Sequence, residues 1–278
     1  MSEPDHRPRP APSRRAALGA LGAFGTAALA GCGGGEAVED NSATATIESE
    51  LETVLSATTA SCVVTASAPS GPHPLLSVLD HRAIVRQDIT EGKIGTPLAL
   101  TLKLVDYDNG CAPLVGAAVY VWHCDANGEY SGYSSTANGA HSGQTFLRGV
   151  QLSNHAGKVS FTTIFPGWHL PRLTHLHLQV FVAGTTLSSH AVAAASTQLR
   201  FPDVVTSAVY ANLALYPQGQ NPVGVAADPV FGQGSTTQTL VVSGSVADGL
   251  AAGLVIGLSA GTGASDDAAS PPLLRNMT

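Results

Sequence analysis

Two histidines in the segment LTHLHLQVF have the spacing that most directly indicates chemistry in this chain. Residues i and i+2 of a β-strand point to the same face of a sheet, so His175 and His177 should project together. Two imidazoles side by side provide half of a metal site. A chance pair of histidines on a solvated strand edge is the alternative.

Two neighbouring residues strengthen the metal-site hypothesis, and a tyrosine upstream is a weaker candidate. His169 lies in the turn FPGWHLPR, where a glycine and a proline allow the chain to fold back and bring a third imidazole toward the strand. Arg172 precedes His175 by three residues. A guanidinium close to a metal can orient or stabilise an anionic substrate. Tyr130 follows a tight turn in WHCDANGEYSGY, where packing or loop capping is the commoner role for a tyrosine.

The elements that must position these residues have the pattern of β-strands. The strand-like runs are LALTLKLVD, AAVYVWHCD, KVSFTTIF, LTHLHLQVFV, TQLRF and TLVVSGSV. Turn-forming clusters separate them, and several runs alternate apolar and polar residues, as in a sheet with one solvated face. We therefore predict an all-β fold, an antiparallel β-sandwich. Residues 202–235 should form a loop-like cover at one end, and the acidic segment 46–57 a short helix before the sandwich.

Residues 1–31 have the features of a bacterial export signal. Arginines precede an apolar run of small residues that is too short for a stable membrane span. The pair Arg14-Arg15 fits the twin-arginine form, which exports folded proteins. The sequence LAGC resembles a lipobox, which implies cleavage before Cys32 and lipid on its sulfur; a plain signal ending at a chance cysteine is the alternative. We expect an exported protein of the cell envelope that contacts the membrane through lipidated Cys32.

The predicted mature chain divides into a flexible tether at 32–60, a sandwich domain at 61–260 and a disordered tail at 261–278. The net charge is −7 and no basic patch is present, so we expect no nucleic-acid partner. Three cysteines follow Cys32, and an oxidising compartment favours one disulfide. We predict Cys62 with Cys111, because both lie beside turns. Cys124 falls in a strand pattern and should be a small buried hydrophobe.

From about residue 62 to residue 259, the chain resembles the intradiol ring-cleavage dioxygenases, in particular secreted bacterial and fungal relatives of the catechol and protocatechuate enzymes. The matching pieces, in family order and spacing, are RQDITEGKIGTPLALTLKLVD, GCAPLVGAAVYVWHCDANGEYSGY, TFLRGVQLSNHAGKVSFTTIFPGW, RLTHLHL and TQLRFPD. The resemblance implies a mononuclear non-haem Fe(III) enzyme. Such an enzyme uses O2 to open a small aromatic diol between its two hydroxylated carbons. Related secreted enzymes are often dimers, so a homodimer is a further expectation.

The resemblance also implies a ligand set. In the family, two tyrosinates and two histidines hold the iron, and here Tyr130, His175 and His177 occupy three of those positions. Arg172 matches the active-site arginine, which is thought to stabilise carbanion character on the substrate. Gln198, in TQLRF, matches a glutamine that lies next to the metal ligands without binding the metal itself.

One ligand position departs from the family pattern, because His169 stands where relatives have the second tyrosinate. An imidazole removes one negative charge from the ferric centre. We therefore predict weaker selectivity for Fe(III) over Fe(II), a higher reduction potential and loss of much of the visible colour. A Zn- or Cu-binding or catecholate-binding protein without ring cleavage is the alternative. Two other departures are His73, which should lie near the site entrance, and Arg200, where an aromatic residue is usual.

Overall fold

The computed structural model describes residues 52, 55–56, 62–71, 73–75, 82–182, 193–234 and 236–259. The predicted export signal, Cys32, most of the tether and the tail at 261–278 lie outside the described residues. Of the helix expected at 46–57, only Glu52, Leu55 and Ser56 are described, and all three are helical. Within the described ranges, no helix has the length and hydropathy needed to cross a bilayer.

Strands make up most of the described structure. In chain order they are β1 Pro97–Asp106, β2 Ala112–Pro113, β3 Ala118–Trp122, β4 Ser134–Ser135, β5 Gly139–Ala140, β6 Arg148–Leu152, β7 Lys158–Ile164, β8 His175–Phe181, β9 Ala195–Arg200, β10 Val241–Ser245 and β11 Gly249–Leu258. One α-helix, α1, spans Asp203–Tyr210, and short 3₁₀ turns lie at Arg82–Ile84, Val225–Ala227 and Phe231–Gln233.

The strands form two main sheets with a shared core, as predicted for a β-sandwich. One sheet has the order β10-β11-β1-β2, with β7 also paired to β1, and the other has the order β6-β3-β8-β9. Leucines of β1, valines of β3 and Leu176, Leu178 and Val180 of β8 meet in one buried cluster. The chain buries apolar side chains from both sheets there, which is the main source of stability for such a fold.

One strand pair differs from the predicted antiparallel arrangement. β1 and β11 run parallel, in register from Leu98 opposite Leu250 to Asp106 opposite Leu258. These strands lie near opposite ends of the domain sequence, so no short hairpin fixes their relative direction. The other pairs in the two main sheets are antiparallel.

Strand β8 carries the histidine pair and is buried on both faces. One face presents Leu176, Leu178 and Val180 to the core. The opposite face presents His175, His177 and Gln179, which are at most 3% exposed. The period-two alternation therefore puts both imidazoles on the same face, as predicted; this face points away from the shared core and is nevertheless buried.

The segment 202–235 contains more regular structure than the predicted loop-like cover. Helix α1 begins after Pro202 and buries only Val209 and Tyr210, so it is too short to show a clear apolar stripe in the sequence. The Tyr210 hydroxyl donates to the carbonyl of Pro166 at 2.9 Å, and the Tyr216 hydroxyl donates to the carbonyl of Phe165 at 2.8 Å. The segment thus holds the chain just before His169.

A disulfide joins Cys62 to Cys111, which confirms the predicted pairing. It attaches the start of the described segment 62–71 to the turn between β1 and β2. Cys124 is free and buried, as expected, although it lies just after β3 and outside the strand.

Candidate metal centre

Tyr130 is held by its backbone in the loop after β3. The Asn138 side-chain oxygen accepts a hydrogen bond from the Tyr130 N–H at 2.6 Å, and the Asn138 amide donates to the Tyr130 carbonyl at 2.8 Å. Asp125 caps the preceding turn by accepting from the N–H groups of Asn127 and Glu129. Buried polar groups with satisfied hydrogen bonds give a well-defined position, so the phenol is fixed beneath the surface.

The side-chain donors of the four predicted ligands converge. The Tyr130 oxygen lies 3.3 Å from His169 Nε2 and 3.3 Å from His177 Nε2, and His177 Nε2 lies 3.1 Å from His175 Nε2. Donors that each sit about 2.1 Å from one shared cation are roughly 3.0–3.4 Å apart at angles of about 90–110°. The observed separations match that spacing.

Tyr130 is essential to this arrangement. In the described part of the chain, no three His, Cys, Asp or Glu side chains are arranged to hold a metal ion among themselves. The ring centres of His169 and His175 are 6.0 Å apart. The Tyr130 oxygen, in contrast, lies 3.3 Å from Nε2 of His169 and 3.3 Å from Nε2 of His177. A candidate centre of these residues therefore uses the phenol oxygen as the donor that links His169 to the pair on β8.

The local contacts prepare the imidazoles to act as ligands. His175 Nδ1 is 2.6 Å from the Leu173 carbonyl, so Nδ1 carries the proton and Nε2 presents its lone pair to the other donors. The His177 ring stacks on Trp122 at 4.8 Å, with 7° between the ring planes. His177 Nδ1 has no hydrogen-bond partner in the described structure.

Burial keeps the three histidines neutral at neutral pH. Burial, together with the charge of Arg172, lowers the pKa of His175 to about 3 and also lowers that of His177. The pKa of His169 is lowered chiefly by burial. Burial raises the pKa of Tyr130 well above its ordinary value, so this phenol loses its proton only beside a cation. Neutral imidazoles and a phenol that needs a cation to ionise fit a bound metal ion.

Arg172 and Gln198 form a polar group beside the donors. Gln198 lies opposite His177 in the β8–β9 register, and its amide donates to the Pro69 carbonyl at 2.9 Å. Arg172 Nη2 donates to the Gln198 side-chain oxygen at 2.6 Å, and Arg172 Nε donates to Asp228 at 3.0 Å. Asp228 could not be predicted from the sequence, because nothing in its local sequence links it to a guanidinium 56 residues away.

The two other residues predicted to depart from the family pattern, His73 and Arg200, have different surroundings. His73 stacks on Tyr130 with 4.8 Å between ring centres and meets the edge of Tyr133 at 4.7 Å. This position agrees with the prediction that His73 lies near the site entrance. Arg200 forms an ion pair with the exposed carboxylate of Asp203 at 3.5 Å.

One cavity lies beside Arg172 and Gln198, and a second lies beside two of the proposed ligands. The first, of about 360 Å³, is lined by Arg172, Gln198 and Gly71 together with residues of the covering segment. The second, of about 390 Å³, is lined by Tyr130, His169 and other residues that include His73. Sites for small organic ligands have volumes of this order. The geometry thus brings every predicted site residue together, while the role of each as ligand or catalyst stays a prediction.

Comparisons with known proteins agree on one family. A family model described as a dioxygenase matches residues 72–221, which is more than half of the chain. An intradiol ring-cleavage dioxygenase from Tetranychus urticae is 27% identical; the match covers 72% of this chain and 96% of that chain, with a TM-score of 0.61. The dioxygenase domain of a carbohydrate-binding fusion protein from Streptomyces sp. SirexAA-E shares the fold, at 20% identity and a TM-score of 0.50, with coverage of 72% and 100%. No curated protein sequence matches the chain.

Proposed function

The chain belongs to the intradiol ring-cleavage dioxygenase family, and from this premise we propose that it binds one non-haem iron and opens a catechol-type ring with O2. The proposed ligands are Tyr130, His169, His175 and His177. The observation that carries the proposal is the convergence of their donor atoms, 3.1–3.3 Å apart, beside Arg172. This arrangement has the donor types and spacing of a mononuclear site.

Bound Fe(III) would supply Lewis acidity toward the two substrate oxygens and the redox chemistry needed for reaction with O2. The protein residues would orient the substrate and manage its charge. Arg172 Nη1 makes no hydrogen bond to the described residues, and Arg172 lines a cavity. It can therefore donate a hydrogen bond to a substrate oxygen and so stabilise negative charge that develops on that oxygen.

His169 has a specific role in this proposal. It borders the second cavity, and burial keeps its imidazole neutral because the charged form is poorly solvated there. A neutral imidazole can accept the proton that a catechol hydroxyl loses on binding. His169 would act as this base when its Nε2 is not bound to the metal.

The visible spectrum and the metal content of a His169→Tyr variant test the site. Because a second phenolate would become a ligand, the iron-loaded variant should gain a tyrosinate-to-Fe(III) absorption band relative to the wild type. Leu170→Tyr is the matched control, since Leu170 is 63% exposed and should add no band. An iron-loaded His169→Tyr variant without a new band would show that residue 169 is not at the metal.

Oxygen uptake tests the reaction itself. The wild-type protein with full iron occupancy should consume O2 when catechols are added, and the products should contain two new carboxylates. A Tyr130→Phe variant serves as the inactive reference, because it lacks the donor that joins His169 to the other histidines. Full iron occupancy without uptake across a panel of catechols would rule out the proposed activity.

A second candidate is a metal-binding protein of the same fold without ring cleavage. The donor set favours this candidate in one respect, since three neutral imidazoles and one phenol also suit Zn or Cu. Metal analysis of protein purified from its native host distinguishes the two. Mostly Zn or Cu would support the binding protein, and mostly Fe would support the dioxygenase.

We also propose that the protein is exported and anchored to the membrane through a lipid on Cys32. The support is the sequence of residues 1–32 alone. Cell fractionation should find the wild-type protein with membranes and a Cys32→Ser variant released from them. Equal membrane association of both would contradict the anchor.

A further inference from the structure

The cavity beside Arg172 has a distinctive charge distribution. Its walls are small or apolar side chains and amides, including Ala66, Pro69 and Val230, and Arg172 is its one formally charged lining residue within the described structure. The second cavity has no Lys, Arg, Asp or Glu among its described lining residues. Arg172 is thus the one cationic side chain among the described lining residues of the two cavities.

The charge of Arg172 is already neutralised. Its Nε lies 3.0 Å from one oxygen of Asp228 and its Nη2 lies 3.2 Å from the other, and both side chains are nearly or fully inaccessible to solvent. A side-on pair of this kind fixes the orientation of the guanidinium plane and balances the positive charge of the guanidinium. The remaining nitrogen, Nη1, can still donate a hydrogen bond, but the pair as a whole has no net charge.

Asp228 is held as an anion by several donors. Besides Arg172, its carboxylate accepts hydrogen bonds from the backbone N–H groups of Leu173, Val230 and Phe231 at 2.7–3.0 Å. Burial alone would raise the pKa of Asp228, but these hydrogen bonds lower it to about 2. Asp228 therefore stays ionised at neutral pH and continues to cancel the charge of Arg172.

We propose that this site selects catechols with uncharged ring substituents and rejects those that carry a carboxylate, and that Asp228 sets this preference. The inference deepens the proposed function and rests on it. A carboxylate that enters either cavity loses its hydration and finds no unpaired cation among the described lining residues, which is energetically costly. An uncharged substituent avoids this cost.

A matched pair of ligands tests the proposal on the wild-type protein. The probes are 3,4-dihydroxyphenylacetamide and 3,4-dihydroxyphenylacetate, which differ in charge but hardly in shape, and whose methylene group separates the ring hydroxyls from the substituent. Binding is measured by calorimetry on iron-loaded protein without O2, so that no turnover occurs. The amide should bind at least about tenfold more tightly than the carboxylate. The free-energy cost of burying an unpaired charge corresponds to at least that ratio of dissociation constants.

Variants at Gln233 test the electrostatic cause without disturbing Asp228. Gln233 is exposed and lines the same cavity. Gln233→Lys should reduce or reverse the preference for the amide, and Gln233→Glu, a matched variant of opposite charge, should increase it. Asp228→Asn, if it folds, should shift the preference in the same direction as Gln233→Lys, because it exposes the charge of Arg172.

The possible results separate this inference from the proposed function. Equal or tighter binding of the carboxylate by the wild type would overturn the inference and leave the dioxygenase proposal intact. An unchanged preference in both Gln233 variants would also overturn it, since the substituent would then lie elsewhere. Binding of neither probe by iron-loaded protein, with no O2 uptake, would overturn the proposed function and the inference with it.

Discussion

Replacement of Gly71 by alanine should displace a proposed metal ligand without changing any donor atom. Gly71 lies against the edge of His177. A Cβ atom at residue 71 would be 2.3 Å from His177 Cε1, 2.9 Å from His177 Nδ1 and 3.2 Å from the Gln198 amide nitrogen. His177 cannot retreat, because its ring stacks on the fully buried Trp122. Either the imidazole or the segment around residue 71 must move.

The expected cost has two parts. Gly71 has φ of +73°, and a residue with a side chain pays about 1–2 kcal/mol to adopt that left-handed conformation. Overpacking of a tight site costs about 1–3 kcal/mol more. We therefore expect Gly71→Ala to lower the free energy of unfolding by about 2–5 kcal/mol. Because the His177 ring is disturbed, metal affinity should fall by about 10–100-fold.

Gly116 provides a matched control. It also has φ of +73°, but a Cβ there would meet no atom within 4 Å. Gly116→Ala should therefore lower the free energy of unfolding only by the cost of the left-handed conformation, and it should leave metal affinity unchanged. Urea unfolding of metal-free protein measures the first quantity, and iron titration measures the second. Equal destabilisation by the two substitutions, with unchanged metal affinity in both, would show that Gly71 does not pack against a ligand.

Three further predictions concern stability. Asp228→Asn should cost about 2–3 kcal/mol at neutral pH, because the pKa of Asp228 falls from 3.8 to about 2 on folding. This stabilisation is complete above about pH 4 and is lost as the pH falls toward 2. The difference in unfolding free energy between wild type and Asp228→Asn, measured by urea unfolding, should therefore shrink as the pH falls. A difference that does not change with pH would contradict the ion pair. A Cys62→Ala, Cys111→Ala double variant should lose up to about 4 kcal/mol of unfolding free energy, because the disulfide joins residues 49 positions apart in sequence. A loss below about 1 kcal/mol would show that other contacts hold segment 62–71. Iron at a hundredfold excess over its dissociation constant should add about 2.7 kcal/mol to the unfolding free energy of the metal-free wild type but not of Tyr130→Phe; an equal gain in Tyr130→Phe would contradict a tyrosine ligand.

Local periodicity explains why much of the fold was predictable. Alternation along the strands indicated both the sandwich and the shared face of His175 and His177, because side-chain direction in a strand repeats every two residues. The disulfide followed from two cysteines beside turns. Helix α1 was missed because eight residues with a mostly exposed surface leave little periodic signal.

The donor set was also visible in the sequence, but its support was not. Tyr130, His169 and Arg172 were identified through short motifs whose spacing resembles a known family. Asp228, which holds Arg172, acts across 56 residues of chain. The position of Gly71 against His177 likewise depends on how segment 62–71 packs against strand β9, which no local pattern encodes.

The amino-acid sequence by itself determined the residue types at the candidate centre and, through the family resemblance, the prediction that His169 stands in the place of a tyrosinate. Both are properties of single positions and short motifs, so local chemistry is sufficient to identify them. The tertiary structure alone decided the parallel pairing of β1 with β11 and the neutralisation of Arg172 by Asp228. Those features arise where distant segments bury surface against each other, and the free energy of that burial is a property of the folded chain as a whole.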